Sequence, residues 1–155
     1  MNPAAEAVEL LGERGQTLAV AESLTGGLLA ATIVEIPGVS AVFRGGLVVY
    51  ATDLKHALAG VPEHLLAERG PVDADVAVAL AEGARTRCGA DWGLATTGVA
   101  GPDPQDGKPV GMVFVGVAGA TLSTVQQLSL SGSRPEIRRA TMTAAFGFLV
   151  DELRK

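Results

Sequence analysis

The sequence is poor in the residues on which much enzyme chemistry depends. Its only cysteine is Cys88, which excludes an internal disulfide and a thiolate metal cluster. Histidine occurs only at His56 and His64; with no H-x-x-x-H spacing they offer no recognisable metal-ligand set, and no metal is expected. Lysine is confined to Lys55, Lys108 and Lys155. The net charge is −5, without a lysine- or arginine-rich block, which argues against a general nucleic-acid binder. No apolar run reaches the roughly 18 residues of a membrane span. The start, "MNPAAEAVELLGERG", carries acids where a secretory signal has a basic end and an apolar centre. These absences give the expectation of a cytoplasmic protein with no membrane partner.

What is present suits a single domain over residues 1–155. The chain is 48% hydrophobic and 19% charged, enough apolar content for a sizeable core. "NPAAEAVELLGERG" reads as a helix, with Asn2 as N-cap, Pro3 in the first turn and Gly15 past the end. "TLAVA" (Thr17 to Ala21) reads as a buried strand, and "GGLLAATIVEI" as a helix stopped by Pro37 and Gly38. "GGLVVYA" (Gly45 to Ala51) has the β-branched content of a second strand. "TDLKHALAG" and "PEHLLAERG" read as short helices closed by glycine. "DADVAVALAEGARTRCG" is a longer helix, capped by Asp73 or Asp75 and stopped by Gly89. "WGLATTG" and "GMVFVGVAG" are strands, and the alternation in "TLSTVQQLSL" fits a strand near an edge. The last segment, Arg134 to Leu153, is an amphipathic helix that Ser133 and Glu136 open as a capping box. The order predicts an α/β domain with helices covering a mixed sheet.

Ligands of such sheets gather where strands give way to helices, which directs attention to "AESLTGG" and "TTGVAGP". Ser23 has three readings. Ser23 or Thr25 caps the next helix, the turn binds a phosphate, or Ser23 is a nucleophile. Gly26 and Gly27 would let a ligand approach the backbone. No G-x-x-x-x-G-K-[ST] occurs, and Gly-x-Ser-x-Gly is absent around Ser23. A serine nucleophile needs a base. His64 is expected on the surface and His56 is a weak candidate. Lys55 is either a solvated helix residue or a buried amine that loses its proton readily. Tyr50, the only tyrosine, ends the same strand and is either a core aromatic or a site hydroxyl. Asp73/Asp75 and Asp103/Asp106 are explained by capping and loop solvation. Arg134 and Arg138 lie four apart at a helix start, where Glu136 or a bound phosphate would offset their charge. The stretch from Thr97 to Gly111 is long for an irregular connection and is therefore a candidate functional loop.

"AESLTGG", "GGLVVYATDLK", "TTGVAGPDPQDGKPVG" and "GSRPEIRRAT" occur in the order and spacing of the CinA C-terminal-domain family, which the whole chain resembles. The resemblance implies a three-layer α/β/α sandwich with a mixed sheet, a homodimer without metal or cofactor, and nicotinamide-nucleotide amidase activity. Many relatives carry a further N-terminal domain similar to molybdopterin-binding proteins; the resemblance implies the stand-alone type here. It implies Ser23 as the catalytic serine, Lys55 as the catalytic lysine and Tyr50 as the site tyrosine. Arg134 and Arg138 match the arginines at the substrate phosphate. Glu22, Thr25, Gly26 and Gly27 belong to the serine motif, and Thr97, Gly98 and Gly101 to the glycine-rich loop. Both groups are expected to bind substrate, with amides near Gly26 and Gly27, or at Thr97 and Gly98, holding an oxyanion. Three positions depart from the family pattern: Thr52 replaces an asparagine, Ser133 an aspartate, and Leu24 a frequent cysteine. The alternative is a nucleotide-binding module of the same fold without catalysis.

Overall fold

The computed structural model describes residues 2–155. Helix α1 (Pro3–Arg14) begins at Asn2, whose side chain accepts the amide of Ala5, and ends at Gly15 in the left-handed region. Strand β1 (Leu18–Glu22) is followed by α2 (Leu28–Val34), a short 3-10 turn (Val39–Ala41) and β2 (Phe43–Val48). Three helices follow without an intervening strand, α3 (Thr52–Ala57), α4 (Glu63–Arg69) and α5 (Ala74–Arg87). Strands β3 (Trp92–Gly98), β4 (Met112–Ala118) and β5 (Ser123–Ser129) then lead to α6 (Arg134–Leu153). Asp73, not Asp75, caps α5, accepting the amides of Asp75 and Val76. Ser133 and Glu136 close the predicted capping box of α6.

The sheet runs in the order β2-β1-β3-β4-β5. β1 pairs parallel with both β2 and β3, and the β3–β4 and β4–β5 pairs are antiparallel. The sheet is therefore mixed, and β5 lies on its edge as the alternating pattern predicts. Strand periodicity sends alternate side chains to opposite layers. Leu18, Val20, Leu94, Val113, Val115 and Val117 pack with α1, α2 and α6. Ala19, Ala21, Ala95 and Ala118 pack with residues of α4 and α5 on the other face. A three-layer α/β/α sandwich results.

Of the boundaries that differ from the sequence expectation, two shape the site. α2 starts at Leu28 because Gly26 and Gly27 have φ of 58° and 107°, values that belong to a turn. β2 stops at Val48 instead of Ala51. The amide of Val49 still reaches Glu22 O, but the carbonyls of Val49 and Tyr50 turn to the side chain of Lys55.

Candidate active site

Ser23 follows the last residue of β1, and its amide donates to Thr96 O in β3 at 3.1 Å. This fixes the serine at the carboxyl end of the central strands. Neither Ser23 nor Thr25 caps α2, whose N-cap is Gly27 without any side-chain bond. The cap comes from Glu22. Its buried carboxylate accepts the amides of Gly27 at 3.2 Å, Leu29 at 2.8 Å and Ala30 at 3.1 Å. An anion there satisfies donors left open at a helix start. The hydroxyl of Thr25 is spent on Thr96, Oγ1 to Oγ1, at 2.8 Å. Ser23 Oγ is thus free of any structural duty to α2.

Its partner is Lys55. This side chain, one turn into α3, is 1% exposed. Its Nζ donates to Ser23 Oγ at 2.9 Å, Val49 O at 2.8 Å and Tyr50 O at 3.1 Å. Burial disfavours the charged form and pushes the amine down from 10.5 to about 8. A neutral amine keeps two N–H donors for the two carbonyls. Its lone pair is then left for the third direction, toward the Ser23 hydroxyl. The solvated-helix reading of Lys55 is excluded by its burial.

Ser23 and Lys55 open onto a cleft of about 190 Å³. Tyr50 and Arg134 stand on one side, Pro71 and Val72 on another, and the loop from Thr97 to Gln105 on a third. Arg134 Nη1 donates to Gly101 O at 2.5 Å and its Nη2 to Tyr50 OH at 3.2 Å. These bonds join the start of α6, the glycine-rich loop and the end of β2 around the opening. Thr97 Oγ1 donates to Pro71 O at 2.6 Å, which ties the opposing wall to β3. Tyr50 is 61% exposed, so the core-aromatic reading does not hold. His56 and Glu63 pair at 2.9 Å away from the cleft, and His64 is exposed.

The structure therefore brings together Ser23, Lys55, Tyr50, Thr97, Gly98, Gly101 and Arg134. It does not bring Glu22, Thr25, Gly26, Gly27 or Arg138 to the cleft wall. Glu22 and Thr25 are fully buried and act on protein groups. The amide of Gly26 donates to Ser23 O and that of Gly27 to Glu22, so neither is free for an oxyanion. Arg138 donates from Nε to Leu24 O and from Nη2 to Thr25 O, each at 2.9 Å, and grips main chain where a phosphate was expected. Asp103, which the sequence reading explains by loop solvation, and Gln105, which it does not single out, also line the cleft. Their one available signal was membership of the long loop. Thr52 lies at the start of α3 and Ser133 is the N-cap of α6; neither departure from the family pattern lines the cleft.

The comparisons with known proteins agree along the whole chain. The family model of the CinA C-terminal domain matches residues 2–153. A CinA-like protein of Frankia casuarinae is 52% identical over 136 residues, which cover 88% of this chain and 31% of that protein. A CinA-like protein of Geobacter sulfurreducens is 49% identical over 141 residues, covering 90% and 34%. The chain thus spans about a third of the length of these curated relatives. Among solved structures, the competence/damage inducible protein CihA of Agrobacterium tumefaciens superposes with a TM-score of 0.93 at 33% identity, covering 99% of this chain and 94% of the other. The competence damage-inducible protein A of Klebsiella pneumoniae gives a TM-score of 0.95 at 26% identity, covering 99% and 98%. The chain belongs to the CinA C-terminal-domain family.

Proposed function

We propose that the chain is a nicotinamide-nucleotide amidase that converts nicotinamide mononucleotide and water to nicotinic acid mononucleotide and ammonia. The observation that carries this reading is the buried amine of Lys55, 2.9 Å from Ser23 Oγ at the floor of a cleft. A hydroxyl is a weak nucleophile until a base takes its proton. An amine with a pKa of about 8 can act as that base near neutral pH and can later return the proton.

Neutral Lys55 takes the proton of Ser23 as Oγ attacks the carboxamide carbon. The tetrahedral adduct collapses when Lys55 protonates the amide nitrogen, and the C–N bond breaks to release ammonia. Water then attacks the nicotinoyl ester and gives its proton to Lys55. The acid leaves as Ser23 recovers its hydroxyl hydrogen. Arg134, exposed at the mouth and tied by single bonds to Gly101 and Tyr50, is the group best placed to meet the phosphate. Asp103 and Gln105 offer acceptors to the ribose hydroxyls, and the carboxylate of Asp103 keeps the phosphate on the Arg134 side.

The test is ammonia release from nicotinamide mononucleotide by the pure protein, with Ser23→Ala as control. Nucleotide binding without ammonia release would assign the chain to the non-catalytic alternative.

A further inference from the structure

The turn that carries Ser23 has an uneven hydrogen-bond balance. Among the described residues, no buried side-chain nitrogen or oxygen lacks a partner. Yet the backbone amides of Leu24 and Thr25 donate to no protein acceptor there, although Leu24 is 4% exposed and Thr25 fully buried. Buried main-chain donors without an acceptor are rare and call for an explanation.

All three carbonyls of the same turn, in contrast, are occupied. Ser23 O accepts the amide of Gly26. Leu24 O and Thr25 O accept the two arms of Arg138. A trans peptide points its N–H opposite to its C=O. Holding Ser23 O therefore directs the amide of Leu24, and the grip on Leu24 O and Thr25 O fixes the two peptides that follow, including the Gly26 amide that holds Ser23 O. The clamp reaches the turn from α6, across more than a hundred residues of sequence, and approaches it so closely that a Cβ at Gly26 would lie 3.4 Å from Arg138 Nη2.

We propose that Arg138 is a positioning residue whose grip on Leu24 O and Thr25 O holds the turn so that the free amide of Leu24, which lines the cleft, faces the oxyanion formed on Ser23. This rests on the reading of Ser23 as a nucleophile. It replaces the phosphate role expected of Arg138 with a role in the transition state. Preorganised amides beside a nucleophile stabilise negative charge that develops only as the adduct forms. The grip should accordingly be felt in kcat and not in substrate binding.

The experiment compares wild type with Arg138→Ala, Arg138→Lys and the neighbouring control Arg139→Ala. One readout is the rate at which an alkyl fluorophosphonate labels Ser23, followed by intact mass. In that step Ser23 Oγ bonds to phosphorus, fluoride leaves, the hydroxyl proton passes to Lys55, and the phosphoryl oxygen takes the oxyanion position. The second readout is kcat and KM for nicotinamide mononucleotide and its riboside. In folded Arg138→Ala, labelling and kcat should fall by roughly 10- to 100-fold, below the cost of deleting an oxyanion donor outright. KM and the preference for the phosphorylated substrate should stay within about three-fold of wild type. Arg138→Lys, which lacks the two-armed fork, should fall between wild type and Arg138→Ala. Added ethylguanidinium should restore part of the labelling rate in Arg138→Ala only, a recovery that a purely structural role would not give. Arg139→Ala should match wild type.

Unchanged labelling in folded Arg138→Ala and Arg138→Lys overturns the proposal. So does a loss confined to KM for the phosphorylated substrate, which would return Arg138 to the phosphate. Absence of wild-type labelling at Ser23 overturns it as well. If wild type is labelled but releases no ammonia, the substrate assignment fails while Arg138 is still decided by the labelling rates.

Discussion

Lys55 Nζ and Ser23 Oγ meet at 2.9 Å although the two residues are 32 apart in sequence, and among the described residues no other side chain donates to that hydroxyl. The Ser23 oxygen also caps nothing, because Glu22 performs that task for α2. Ser23→Ala should therefore abolish ammonia release while costing only about 0.5–1.5 kcal/mol of stability, the worth of the one hydrogen bond lost to Lys55. Nucleotide affinity should stay within a few-fold of wild type. Substantial turnover in a folded Ser23→Ala protein would remove the serine from the reaction.

The pH dependence follows from the lysine. Its amine titrates at about 8 in the folded protein against 10.5 ordinarily, and only the neutral form accepts a proton. Activity should rise with pH and level off above about 8, giving an acid-side inflection in kcat/KM. The linkage to folding has a defined sign. Between about 8 and 10.5 the unfolded chain holds a proton that the folded chain has lost, so this residue's contribution to stability grows as pH rises through that window. Denaturant titrations of wild type and Lys55→Met across the window check the sign. Lys55→Arg should be inactive at every pH, since a guanidinium does not deprotonate.

Arg134 is expected to carry the phosphate. A charge-assisted hydrogen bond contributes about 1.5–3 kcal/mol, so Arg134→Ala should raise KM for the mononucleotide by roughly ten- to a hundred-fold. The riboside, which has no phosphate, should be hydrolysed by Arg134→Ala about as well as by wild type. Equal loss on both substrates would instead show that Arg134 serves through its bonds to Gly101 O and Tyr50 OH.

Glu22 offers a test that separates architecture from chemistry. Its carboxylate satisfies three amides in a fully buried setting, and Glu22→Gln turns one acceptor oxygen into a donor facing N–H groups. A destabilisation on the order of 2 kcal/mol is expected, since a buried donor left unsatisfied costs about 1–3 kcal/mol. Urea unfolding measures it, and kcat should fall as well because the Ser23 turn sits directly on this cap.

The parts of the fold that could be read from the sequence are those written locally. Asn2, Asp73 and the Ser133–Glu136 box announce helix starts through neighbours two or three residues away, and β5 shows its edge position by alternation. Ser23 and Lys55 had to be paired by resemblance, because only the docking of α3 beside the end of β1 brings them within reach. Glu22 was hidden for a related reason. A cap normally stands just before its helix, whereas this carboxylate reaches forward from a strand to amides five to eight residues on. Arg134 and Arg138 look alike in sequence, one helical turn apart. Only the carbonyls of Leu24 and Thr25 distinguish the second as a clamp on the main chain.

Helix α5 touches its surroundings through glycine. A Cβ on Gly83 would lie 2.0 Å from Ala59 O, and one on Gly93 of β3 would lie 1.9 Å from Ala81 O. Ala59 lies two residues past the helix that holds Lys55, so that helix is followed by main chain resting on the main chain of α5. Side chains can change rotamer to absorb an error; peptide groups in contact have almost no such slack. Gly83 makes no chemical contribution and lies outside the cleft, yet a single methyl group there must displace either α5 or the main chain at Ala59, just past the Lys55 helix. The seating of that segment is thus constrained at a position that no search for reactive groups would single out. Any redesign of the cleft inherits that fixed spacing before the first cleft residue is changed.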